Sequence, residues 1–85
     1  MVLKRGRDQP RAVGDVVQFV MEDIRTGGSV MCQITNDALR RWFEIDNPDG
    51  TWTYPGHGLA FLILRDAIEE AASHAYLRGE TPHLT

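Results

Sequence analysis

Residues 13–39 read VGDVVQFVMEDIRTGGSVMCQITNDAL, and their pattern decides the fold. From Val13 to Met21, Val17, Phe19 and Met21 alternate with Val16, Gln18 and Val20. This is a period of two with β-branched and aromatic enrichment, which predicts a strand. Turn residues follow from Glu22 to Gly28, ending in a Gly-Gly pair. Ser29 to Ile34 repeats the alternation, with Val30, Cys32 and Ile34 on one side. Two strands joined by a glycine-rich turn predict an antiparallel hairpin. Its buried face would carry Val17, Phe19, Met21, Val30, Cys32 and Ile34. Thr35 then closes the second strand and is placed to N-cap a short helix, with Asp37 suiting the positive helix end. Ala38, Leu39, Trp42 and Phe43 form one apolar stripe on that helix, leaving Arg40 and Arg41 outside.

C-terminal to this unit, residues 44–58 are irregular. Asn47-Pro48-Asp49-Gly50 is a turn signal, because proline presets one φ and glycine accepts a positive one. Thr51–Tyr54 reads as a short extended piece, broken by Pro55-Gly56-His57-Gly58. Residues 59–78 carry the strongest helical pattern. Phe61, Leu64, Ile68, Ala71, Ala72 and Ala75 recur on a core face, while Asp66, Glu70, Ser73 and His74 fall opposite. Gly79 suits the C-terminal cap, with Pro82 soon after. Leu59, Leu62 and Ile63 point away from the Phe61–Ile68 stripe. A helix end that is apolar all round needs a cover, either the Trp52–Tyr54 loop or a second subunit.

N-terminal to the hairpin, residues 1–11 hold Lys4, Arg5, Arg7 and Arg11 against Asp8, a balance of +3. Residues 12–85 hold five arginines against eleven acids, a balance of −6, and the two give the net charge of −3. The expectation is a flexible basic arm, 1–11, on a single α+β domain, 12–85. That domain is a small antiparallel sheet built on the hairpin and packed against one long C-terminal helix and one short helix. At 85 residues there is room for one domain and a small core. A single cysteine makes no internal disulfide, no apolar leader follows the N-terminal cations, and the longest apolar run is six residues, Leu59–Leu64. These features point to a cytoplasmic protein without a membrane span.

The order of these pieces resembles a known family. Val30-Met31-Cys32-Gln33-Ile34 leads into Thr35-Asn36-Asp37-Ala38-Leu39. After a variable loop, Phe61, Arg65, Ile68 and Ala72 share one helix that runs into Tyr76-Leu77-Arg78-Gly79. Residues 13–85 are similar in this to the small bacterial family catalogued as domain of unknown function 1488. The resemblance implies a compact α+β domain with no biochemical activity attached to it. It also implies a closing strand after the long helix, beginning at His83-Leu84-Thr85. Loop 44–58 is the variable part of that family, so Trp52 and Tyr54 inherit no role from it.

Candidate chemistry is sparse. Cys32 lies on the predicted inner face, where a free thiol is a small apolar core residue. His57, His74, His83 and Cys32 match no metal-ligand spacing, so neither metal nor cofactor is expected. Gly56-His57-Gly58 lacks the Walker and dinucleotide fingerprints. Ser29 and Ser73 sit in no nucleophile elbow, and Glu69 and Glu70 diverge by about 100° around a helix, so no catalytic residue is assigned. Arg65 stands at the edge of the core stripe with Glu69 one turn on. It is either an anion-recognising fork or a structural tie, and the tie is favoured. Trp52, Tyr54, Leu59, Leu62 and Ile63 form the expected partner surface. The expected function is therefore a non-catalytic protein-binding or accessory domain, with self-association through 52–63 as one form. The alternatives are weak nucleic-acid binding through Lys4, Arg5, Arg7 and Arg11 together with Arg40 and Arg41, and a small enzyme with a site near Arg65.

Overall fold

The structure is a computed structural model that describes residues 2–85. Its elements are β1 (Leu3–Arg5), β2 (Arg11–Val13), β3 (Val16–Asp23), β4 (Ser29–Thr35), α1 (Asn36–Ile45), α2 (His57–Leu77) and β5 (His83–Leu84). The fold is α+β: one five-stranded sheet with both helices on one face.

The β3–β4 hairpin is the spine. Phe19 pairs with Cys32 and Met21 with Val30, so the inward residues of the two strands face each other. Val17, Phe19, Met21, Cys32 and Ile34 are buried and Val30 is half-buried. The loop between the strands closes through Asp23 N–H donating to Gly28 and Gly27 N–H donating to Asp23. Thr35 ends β4 and caps α1, its hydroxyl accepting from Ala38 N–H at 3.1 Å. Ala38, Leu39 and Phe43 turn inward from α1. From α2, Ala60, Phe61, Leu64, Ile68, Ala72 and Ala75 fill the space over the sheet, with Phe61 against Phe19 at 5.1 Å between ring centroids. The C-terminal end of α2 closes as a Schellman motif. Gly79 takes φ +80°, its N–H reaches the Tyr76 carbonyl, and Glu80 N–H reaches that of Ala75.

Four expectations are corrected. First, Val13–Met21 is not one strand. Gly14, at φ +57°, and Asp15 make a two-residue turn that folds Val13 back onto Val16. Second, residues 2–11 are not a flexible arm, and Met1 of the expected arm lies outside the described residues. β1 pairs with Met21–Asp23, β2 pairs with Val16–Gln18, and both lie along the same edge of β3. Leu3 is 1% exposed, which explains why this segment folds: it brings a core side chain with it. Third, the sheet is mixed, because β5 runs parallel to β4, pairing His83 with Gln33 and Leu84 with Ile34. A long helix between two strands returns the chain to the starting end of the sheet, so the second strand runs parallel. Fourth, Thr51–Tyr54 forms no strand, and α2 begins two residues early at His57, after Gly56 at φ +101°.

Candidate functional site

The expected partner surface divides when its residues are placed. Trp52 is 72% exposed, Leu59 53%, Leu62 55% and Ile63 57%. No single-chain cover lies over them. Trp52, Leu59 and Ile63 line a groove of about 470 Å³ with Phe43, Thr53 and Pro55, and Asp46 and Asn47 complete its lining. Leu62 faces the other flank of α2, beside Gln9, Pro10 and Ala12.

Tyr54 is a correction. It is half-buried, and it fastens the loop rather than presenting a free ring. Its ring meets Phe43 edge-on at 5.4 Å, and the Arg40 guanidinium stacks 4.3 Å from its centroid. Its hydroxyl is 2.7 Å from His57 Nδ1. Burial pushes the Tyr54 phenol above its usual range, with the Arg40 charge opposing.

The loop holding Trp52 is locally built. Asn47 Nδ2 donates to the Trp52 carbonyl at 2.7 Å, and Trp52 N–H donates to Asn47 Oδ1 at 3.2 Å. Gly50, at φ +68°, closes the Asn47–Gly50 turn, and Asp49 accepts from Thr51 N–H. Both walls of the groove are thereby fixed, one by helix and one by this clamp. Phe43, Asp46 and Pro55 were missed as groove residues. The turn signal at 47–50 located the loop, but its direction of travel depends on Tyr54 docking to α1.

The cations of residues 1–11 divide as well. Arg5 forks onto Glu69 through Nε and Nη2, both at 2.9 Å, and Nη2 also reaches Asp66 at 3.2 Å. Lys4 stands 3.7 Å from Glu22. Arg7 and Arg11 are exposed, with no ion pair among the described residues.

Arg65 donates Nε to Glu69 Oε2 at 3.0 Å, and its guanidinium carbon lies 5.7 Å from the Phe61 ring centre. Its side chain is mostly buried, so the fork is not presented to solvent. Glu69 is thus a buried carboxylate between two arginines. Burial pushes its carboxyl up, but the hydrogen bonds from Arg5 and Arg65 outweigh this and hold it below the usual range. Cys32 is fully buried, and burial, with the Glu69 charge adding, pushes its thiol up to about 12. A thiol held protonated in this way is no nucleophile. His57 is bonded to Tyr54, and Arg65 to Glu69. Among the described residues, no three His, Cys, Asp or Glu side chains come together as metal ligands, and no helix is long and apolar enough to cross a membrane.

No protein-family model, curated protein or solved structure matches the chain.

Proposed function

We propose that this chain is a non-catalytic protein-binding domain of the cytoplasm, and that its contact surface is the apolar groove carried by Trp52, Leu59 and Ile63. One observation carries the reading: three large apolar side chains, Trp52, Leu59 and Ile63, each more than half exposed, line one groove beside α2. Contiguous apolar surface of this kind marks interaction sites. The order of elements also supports membership of the domain of unknown function 1488 family, with β5 standing where that family places its closing strand.

The test has two parts. Leu59→Asp with Ile63→Asp should leave the melting temperature nearly unchanged, because exposed side chains away from the core contribute within about ±0.5 kcal/mol. Light scattering then reads self-association directly: a mass near twice 9.6 kDa that returns to 9.6 kDa in the double variant makes the partner a second copy. If the wild type is a monomer and the double variant still melts well below it, these residues belong to the core and the reading fails. Nucleic-acid binding has less support, because Lys4 and Arg5 are already paired with acids.

A further inference from the structure

We infer that the groove between α2 and the 46–55 loop takes a basic amphipathic segment from another protein, with apolar anchors seated against Leu59, Ile63 and Trp52 and Lys or Arg side chains facing the acids at its rim. This rests on reading the surface as a protein-binding face, and it adds what kind of partner fits.

Charge complementarity selects the occupant. Residues 42–64, which build the groove, contain Glu44, Asp46 and Asp49 and no Lys or Arg. The remainder of the chain holds nine acids and nine Lys or Arg, so the net −3 resides entirely in the groove segment. Asp46 stands at the groove itself, and Asp49 on the turn that carries its outer wall. Neither is ion-paired among the described residues. Of the cations flanking the segment, Arg40 lies over Tyr54 and Arg65 on Glu69, while Arg41 faces away from the groove, beside Asp15, Asn36 and Asp37. A second copy is a poor fit. A two-fold contact sets the same patch against itself, bringing these acids face to face. A basic segment meets them with opposite charge.

The apolar part fits the same occupant. Leu59 and Ile63 are one turn apart, so they present a ridge matched to anchors at i, i+3 or i+4, and i+7 of an incoming helix. Because Asn47 and Tyr54 already hold the opposing wall, little ordering is needed on binding.

The experiment uses the full chain and two labelled synthetic helical peptides with the same apolar stripe, one flanked by Lys and the other by Glu, read by fluorescence anisotropy. In roughly 50 mM salt the Lys peptide should bind at least about tenfold more tightly than the Glu peptide, and added salt should narrow the gap. Asp46→Lys with Asp49→Lys should reverse the order, and Ile63→Asp should abolish both, with circular dichroism confirming that each variant is folded. Equal affinity for the two peptides, or an order unmoved by the Asp46 and Asp49 substitutions, overturns the basic partner and leaves the protein-binding face standing. No binding of either peptide, together with a dimer that Ile63→Asp dissolves, replaces the basic partner with a second copy. No binding and a monomer throughout overturns both readings.

Discussion

At Gly6 the chain leaves β1 so close to its neighbour that a Cβ there would sit 2.5 Å from the Val20 carbonyl oxygen and 3.1 Å from its carbon. Those are backbone atoms and cannot rotate aside. Gly6→Ala should therefore cost about 1–3 kcal/mol, read as a lower melting temperature, at about 4–8 °C per kcal/mol for a domain of this size. Gly58, in the first turn of α2, has open space at its Cβ position and no positive φ. Gly58→Ala should move stability the other way, by about 0.5–1 kcal/mol. Asp23 sets a different kind of expectation. The Arg25 side chain, the Arg25 N–H and the Tyr76 hydroxyl hold its carboxyl at about 2 against an ordinary 3.8, with burial opposing. The folded state thus takes up this proton less readily than the unfolded chain. The stabilisation is complete above about pH 4 and is lost as pH falls through about 2. Urea midpoints at about pH 4.5 and 2.5 should fall further in the wild type than in Asp23→Asn. Parallel falls in both would contradict this account.

Among the elements, β1 depends most on a single side chain. Ser73 Oγ accepts from both Val2 N–H and Leu3 N–H, each at 3.1 Å. Ser73→Ala removes that acceptor from two amides and should cost about 1–3 kcal/mol. Hydrogen exchange should locate the effect, with Leu3 exchanging faster while the β3–β4 ladder keeps its protection. Unchanged exchange at Leu3 would show that β1 is held by other contacts. Ser73 also shows what the sequence conveys and what it does not. The β3–β4 hairpin, the Thr35 cap and the Phe61–Ala75 stripe are periodic or local, and each is legible in the sequence. Ser73 and Glu69 fall outside the apolar stripe of α2, and β1 is what buries them. β1 has only three residues, two of them charged, so it carries no periodic signal of its own. Gly14 was visible, but Val13 and Val16 on either side of it continue the apolar run and mask the turn. Of the candidate surface, Trp52, Leu59, Leu62 and Ile63 were legible because helical spacing or a turn places them outside the core. Tyr54 was not, because its burial depends on Arg40 and Phe43 from another element.

At the scale of the whole molecule, residues 2–10 are structural. Removing residues 1–10 takes Leu3 out of the core and leaves Glu69 with Arg65 as its only arginine. The shortened chain should lose its cooperative thermal transition, whereas removal of a loose arm would leave the melting curve in place. A circular dichroism melt decides between them. The bonds from Val2 and Leu3 to Ser73 span 71 and 70 positions, nearly the length of the chain. That reach has a consequence for how the protein is made. A ribosome delivers residues in order, so β1 can pair with β3 early but lacks Ser73 and Glu69 until α2 has followed it out of the exit tunnel. Until then Leu3 and the sheet face that α2 covers stay bare, and a chaperone that shields short apolar segments near the exit port has its window there.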